Sequence, residues 1–524
     1  MQKRVAIIGA GVSGLLACKY SVEKGFNPMV FEAEECVGGI WACTIESTEL
    51  QNPKQGYQFS DFPWSSSVKE IFPNHTKVME YLESYARHFG IYQYINFNSK
   101  VISIDYVGES NEEMESWSLW GGKGKPFCSK GKWLVEVQDT KICSRKVYEF
   151  EFVILCIGKY SGLPNIPEFP PNQGPEVFNG KVLHSMDYSA MDDARAKKLI
   201  EGKRVAVIGS LKSAVDIAAE CANTNGAQYP CLMIQRTVHW TLPSSSLWGI
   251  NIGYLYGNRF SQTLVHSSGQ TFMSSLLVAL LAPLRWGISK FAEIYTRWKL
   301  PLKKFNMLPE HSFLEDLFSC QTLKLPEKFY DKVEEGSIIL KKSQNYRFCR
   351  EGLIIDGETQ TLQTDVVIFA TGYNSDQKLS NIFKSLIFKK SVIGSQTSVV
   401  PLYRHIIHPR IPQLAVIGQL GLSSLGAAEI KCQWLAHFLD GNIELPSIRE
   451  MEKDVVVWEN HMKKYSGKYF MKGCALFTIW YNDQMCKDMG CKSRRKNGFF
   501  AEWFEPYSAM DYADLSLSRH SSVD

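Results

Sequence analysis

Six residues near the start of the chain, Gly9-Ala10-Gly11-Val12-Ser13-Gly14, have the glycine spacing of a dinucleotide-binding turn. Gly9 allows a tight turn after a strand, Gly11 lets a pyrophosphate approach the backbone, and Gly14 lets helix and strand pack closely. The helix that follows offers unpaired N–H groups and the positive end of its dipole to phosphate. Glu32 ends Pro28-Met29-Val30-Phe31 at about the expected distance of ~20 residues. A carboxylate there holds both ribose hydroxyls and repels a 2′-phosphate, so the site is expected to take FAD or NAD rather than NADP. The paired glycines of Gly38-Gly39-Ile40-Trp41 admit a flat ring system close to the backbone, which favours FAD.

A second motif, Gly209-Ser210-Leu211-Lys212-Ser213-Ala214, keeps the first glycine but has Leu211 and Ala214 where the others would stand. Alone it is a poor match. Two features support it. Lys212 puts a cation in the turn, near any phosphate. Arg236, after Leu232-Met233-Ile234-Gln235, stands where the first site has Glu32, and an arginine there accommodates a 2′-phosphate. The second site therefore reads as NADPH. FAD plus NADPH, with no Cys-x-x-Cys pair among fourteen cysteines, implies a flavin oxidoreductase.

These residues need elements to hold them. Arg4-Val5-Ala6-Ile7-Ile8-Gly9 and Arg204-Val205-Ala206-Val207-Ile208-Gly209 read as buried parallel strands, each followed by a helix, over 15–24 and 214–222. Two further apolar runs, 152–158 and 366–372, mark where the chain leaves the first domain and where it has returned. The fold class expected is α/β, with two Rossmann-like domains and the NADPH domain inserted into a discontinuous FAD domain. The boundaries are 1–165 and 331–444 for FAD, 166–330 for NADPH with a helical insert at about 243–320, and 445–524 for a C-terminal extension. Gly162-Leu163-Pro164-Asn165-Ile166-Pro167 is the outgoing linker. The apolar run from Phe272 to Leu284 is too short for a bilayer, which needs about 20 residues. A buried helix is its first reading and an interfacial one its second. Lys492-Ser493-Arg494-Arg495-Lys496 reads as a solvated loop.

The motifs together resemble the flavin-containing monooxygenases. Phe178-Asn179-Gly180-Lys181-Val182-Leu183-His184-Ser185-Met186-Asp187-Tyr188 is similar to the family signature F-x-G-x-x-x-H-x-x-x-[YF], and it lies between the two nucleotide motifs. Phe369-Ala370-Thr371-Gly372-Tyr373 resembles the family's F-A-T-G-Y box, and Gly38–Trp41 and Asp61-Phe62-Pro63-Trp64 its GG-x-W and DFP[FW] stretches. The resemblance runs from residue 1 to about 440. Its details look most like the plant clade containing the pipecolate N-hydroxylase. Tyr188 stands where related Baeyer–Villiger enzymes carry Trp, which favours N- or S-oxygenation.

The resemblance implies oxygen insertion from O2 into a soft nucleophile, an amine such as pipecolic acid or a thioether, through a C4a-hydroperoxyflavin. A role in plant defence comes with the clade. The resemblance assigns Val101, Thr371 and Gly372 to FAD beside Gly9–Gly14, Glu32, Gly39, Ile40 and Trp41. It gives His184 to the NADP side, either as a linker histidine or as a direct contact. Many members have Asn ten residues before the DFP aspartate; here Gln51 stands there, with Asn52 beside it, and these two are the catalytic candidates. Decarboxylation of indole-3-pyruvate, as in the auxin-pathway relatives, is the runner-up. An NADPH oxidase releasing peroxide and a non-catalytic, cofactor-sensing scaffold stand behind it.

Composition sets the limits. The chain has 524 residues, 45% apolar and 21% charged, which is globular usage rather than disordered or fibrous. A net charge of +4 gives no argument for nucleic acid. No metal site, disulfide framework, signal peptide or transmembrane span is expected. The cysteines read as core residues of a reducing compartment. The expected location is the cytoplasm, or else a peripheral place on the endoplasmic reticulum, and the oligomeric state is left open.

Overall fold

Each glycine motif ends the central strand of a five-stranded parallel sheet in the computed structural model, which describes residues 3–244, 246–266, 272–393, 400–419, 425–467 and 478–515. The first sheet has the order Leu414–Val416, Phe152–Leu155, Arg4–Ile8, Asn27–Phe31, Ile95–Asn96. The second has Ile338–Lys342, Cys231–Gln235, Val205–Ile208, Val366–Phe369, Lys181–His184. Phe152–Leu155, Val205–Ile208 and Val366–Phe369 are apolar and buried along their whole length, as parallel strands covered on both faces must be. Strand order reverses beside each central strand, and a crevice forms there at the carboxyl ends. Helices Val12–Glu23 and Lys212–Asn225 start at these crevices.

The chain returns to the first sheet later than its apolar runs led us to expect. Val366–Phe369 lies in the second sheet, between Val205–Ile208 and Lys181–His184. Ile338–Lys342 also pairs there, so 331–444 is not a single return segment. Among the described residues only Leu414–Val416 rejoins the first sheet. A fully apolar run suits either parallel sheet equally, so periodicity cannot assign it.

The insert folds mainly as helices, Ile252–Tyr256, Arg259–Thr263, Phe272–Leu280, Ala282–Lys299 and Phe313–Phe318. The expectation that Phe272–Leu284 is a buried helix fails. Val278 alone is buried in Phe272–Leu280, while Phe272 and Leu280 are 80% and 69% exposed. Composition gave the run its apolar character, but among the described residues no core element lies over it. Among the described residues no single helix is long and apolar enough to cross a membrane; Phe272–Leu280 and Ala282–Lys299 pass that test only as a pair bent by 44°.

The C-terminal segment is tied to the insert by Arg259. Its guanidinium donates to Asp483 at 2.5 Å, to Glu502 at 2.6 Å and to the Tyr507 hydroxyl at 3.1 Å. These contacts set helix Thr478–Asp488 and the turn Ala509–Tyr512 beside helix Leu425–Leu439, which itself packs on Val12–Glu23.

Candidate active site

The first glycine of each motif is demanded by the strand across the reversal. Gly9 has φ +103°, and a Cβ there would stand 2.6 Å from the Cys156 carbonyl oxygen. Gly209, at φ +153°, would meet the Ala370 oxygen at 2.3 Å. The third positions differ. A Cβ on Gly14 would fall 1.8 Å from the Gly9 oxygen, so the first helix rests directly on its turn. Ala214 fills the matching place with its side chain fully buried, so the second helix stands farther off. This spacing is why the irregular second motif still folds as a strand, turn and helix.

Both helices begin open. Gly11 and Leu211 are their N-caps, neither end has a side-chain cap, and neither first turn carries an acid. The unpaired N–H groups and the dipole therefore face an anion unopposed, which fits the two pyrophosphates. Glu32 is buried, and its Oε2 accepts from the Ala10 N–H at 2.6 Å and its Oε1 from Glu34 at 3.0 Å. Glu32 thus braces the turn.

One cleft of about 2830 Å³ joins the two turns. On the FAD side Gly9, Gly11, Val12, Ser13, Glu32, Gly39, Ile40, Trp41 and Val101 line it. Thr371 and Gly372 line it too, but from the exit of Val366–Phe369 in the second sheet, not from the FAD sheet. On the NADP side the lining is Gly209, Ser210, Leu211, Lys212, Ser213 and Arg236. Gln51 and Asn52 line it too, from the loop that Trp64 fixes by donating to the Tyr57 and Lys54 carbonyls. Ala10, Gly14 and Ala214 lie outside the lining and pack the turns.

Two assignments change. Lys212 is not a free cation: its ammonium pairs with Asp216 at 2.7 Å, one helical turn on. Asp216 also accepts from Thr48, and burial pushes its carboxyl up. Arg236 by contrast is exposed, lines the cleft and has no ion-pair partner among the described residues, so it alone of the two presents a free charge. His184 does not line the cleft. It is buried, its Nδ1 caps helix Ser185–Ser189 by accepting from Met186 at 3.1 Å, and its ring packs on Tyr373 at 5.4 Å. Burial holds its imidazole below the usual range. Tyr188 is fully buried and donates to Glu220 on helix Lys212–Asn225 at 3.1 Å, so these signature residues brace the second sheet and its helices.

Lys378 escaped the sequence reading. It follows the F-A-T-G-Y box on helix Ser375–Asn381, lines the cleft, and donates to the Ile157 carbonyl and to Ser161. Burial pushes its ammonium down to about 8 against the pull of Glu32. Its place beside the exit of Phe152–Leu155 is a tertiary fact that spacing does not encode.

A family model for flavin-binding monooxygenase-like proteins matches residues 2–502. The chain belongs to this family. It is 41% identical to "Probable flavin-containing monooxygenase 1" of Arabidopsis thaliana across 97% of this chain and 96% of that one. It is 39% identical to "Putative flavin-containing monooxygenase 2" of the same plant, across 93% and 97%. Human flavin-containing monooxygenase 2 shares 27% over 94% of this chain and 83% of its own. Among solved structures, S-allyl-L-cysteine S-oxygenase from Allium sativum superposes with a TM-score of 0.58 at 19% identity, covering 94% and 89%. The OTEMO complex with FAD and NADP gives 0.64 at 16%, covering 93% and 97%. This flavin-containing monooxygenase therefore has the doubly nucleotide-binding α/β fold of its family, and its cofactors are FAD and NADPH.

Proposed function

We propose that this monooxygenase inserts one oxygen atom into a soft nucleophile, by N-hydroxylation of an amine such as pipecolic acid or by S-oxygenation of a thioether. The observation that carries the reading is the pair of uncapped helix N-termini opening onto one cleft, so that hydride donor and acceptor share a single space. Gly11 and Ser13 hold the FAD pyrophosphate and Glu32 its ribose, with Gly39, Ile40 and Trp41 toward the ring. Gly209 to Ser213 hold the NADP pyrophosphate, and Arg236 its 2′-phosphate. Bound FAD supplies hydride acceptance and dioxygen activation. The protein's part is to orient the two cofactors and exclude water. Gln51 and Asn52 supply amide hydrogen bonds to the reacting region. Tyr57, half-buried and accepting from the Trp41 Nε1 at 2.6 Å, stiffens that wall.

The enzyme works in the cytoplasm, with Phe272–Leu280 resting on a membrane surface. The exposed Phe272, Met273, Leu276, Leu277 and Leu280 support that contact, and co-flotation with phospholipid vesicles tests it. The activity itself is tested by incubating the holoenzyme with NADPH, oxygen and L-pipecolic acid, and separately with a thioether. A product one oxygen heavier supports the reading. Peroxide matched to NADPH with every substrate overturns it, and loss of CO2 from indole-3-pyruvate replaces it with decarboxylation.

A further inference from the structure

Beyond the two turns the cleft extends along helix Leu425–Leu439. Its wall there is Ala427, Ala428 and Lys431 from that helix, Ile479 and Asn482 from Thr478–Asp488, and Tyr512 from the last turn. These elements are close: a Cβ on Gly426 would stand 2.9 Å from that of Ala509. The C-terminal segment, held to the insert by Arg259, thus closes this end of the cavity.

Lys431 is the cation of this end. It is 1% exposed yet lines the cavity, and its ammonium lies 5.7 Å from the Tyr481 ring centre. No ion-pair partner stands beside it among the described residues. The nearby acids are engaged elsewhere. Glu429, on the same helix, accepts from the Tyr20 hydroxyl at 2.8 Å and from the Ser60 N–H and hydroxyl at 2.8 and 2.9 Å. Asp488 and Asp454 face Arg404 at 2.7 and 3.4 Å, and Asp483 faces Arg259. A buried cation without a counter-charge is costly, and an anion brought in by a ligand would relieve it. The cofactor phosphates already have the two helix N-termini. The neighbouring Cys432, not Lys431, points to the FAD turn, with its Sγ 3.8 Å from the Ser13 oxygen.

We infer that Lys431 is a specificity-determining residue, whose ammonium binds the carboxylate of an amino-acid substrate in the lobe closed by the C-terminal segment. The inference rests on reading this cleft as that of an N- or S-oxygenating enzyme, and it narrows the substrate to amines or thioethers that carry an acid group. Titration agrees. Burial pushes Lys431 down to about 7, opposed only by Cys432. The other titratable groups around it are Arg404 and His405, ahead of Leu414–Val416, Tyr481 and Tyr512 from the C-terminal segment, and Glu429 on its own helix. His405 is itself held neutral, at about 3. An incoming carboxylate therefore draws a proton onto the lysine, and carboxylate affinity falls as pH rises above about 7.

The test uses the FAD-loaded full chain. L-pipecolic acid, piperidine and the common amino acids are titrated calorimetrically and assayed for turnover, in wild type, Lys431→Met and Lys431→Arg. The expected result is a Kd and KM for the amino acid at least tenfold higher in Lys431→Met and partly rescued in Lys431→Arg. Flavin content, NADPH-driven flavin reduction and the handling of piperidine stay unchanged. Equal affinity in Lys431→Met, an equal loss for piperidine, or loss of flavin from the variant would each overturn the inference. A wild type that oxygenates only amines or thioethers without an acid group sinks the inference and spares the monooxygenase reading. Lysine-dependent amino-acid binding without oxygen transfer to any substrate does the reverse.

Discussion

Gly14→Ala probes the closest approach found at any described glycine. The new Cβ would stand 1.8 Å from the Gly9 carbonyl oxygen, where ordinary contact begins at 3.4 Å. The obstacle is backbone, so no rotamer relieves it: helix Val12–Glu23 and its turn must separate by about 1.6 Å. Overpacking of this kind costs about 3 kcal/mol, the upper end of its usual range. Much of that strain enters the pyrophosphate site, because Gly11 and Ser13 sit between the two colliding groups. At 1.4 kcal/mol per tenfold, FAD affinity falls by about 100-fold. The assay is the flavin-to-protein absorbance ratio after purification, followed by FAD titration of the stripped protein. Ala214→Gly is the control. The second helix already accommodates a Cβ there, so the change costs about 0.5–1 kcal/mol of helix stability and leaves NADPH binding intact. A yellow Gly14→Ala protein of normal FAD affinity would refute the reasoning.

Arg236→Ala should raise KM for NADPH about 10- to 100-fold and leave KM for NADH nearly unchanged, since a charge-assisted bond to phosphate is worth about 1.5–3 kcal/mol; equal effects on the two nucleotides would refute the 2′-phosphate assignment. His405 gives a pH signature. Burial holds it at about 3, so the folded protein keeps it neutral while the unfolded chain takes up a proton below about 6.5. Its contribution is therefore full above pH 6.5 and is lost as pH falls. His405→Phe keeps a ring against Trp458 and Tyr481. Between pH 7 and 5 the wild type should lose about 2 kcal/mol more stability than this variant in denaturant unfolding. Parallel pH profiles would count against a neutral buried histidine.

The glycine motifs were legible because at Gly9 and Gly209 a neighbouring strand's carbonyl leaves room for one residue type only. Glu32 and Arg236 were legible because each closes a strand at a fixed distance from such a turn. What escaped is tertiary. Val366–Phe369 carries no mark of which parallel sheet it joins. The i, i+4 pairing of Lys212 with Asp216 is visible in spacing, but its hold on the lysine depends on burial of the aspartate. His184 matches a family signature, yet its imidazole is used for a helix cap and a ring contact. Phe272–Leu280 has core composition without a core above it. Lys378 and Lys431 look like solvent-facing helical lysines until the folding of distant segments encloses them.

The central claim is that NADPH oxidation delivers one atom of dioxygen to an organic product and the other to water. Turnover of the FAD-loaded enzyme under ¹⁸O2 with L-pipecolic acid and a panel of amino acids and thioethers tests it directly. The account predicts a product carrying one ¹⁸O per NADPH oxidised. NADPH oxidation that yields only labelled peroxide, with no ¹⁸O in any organic product, would contradict it.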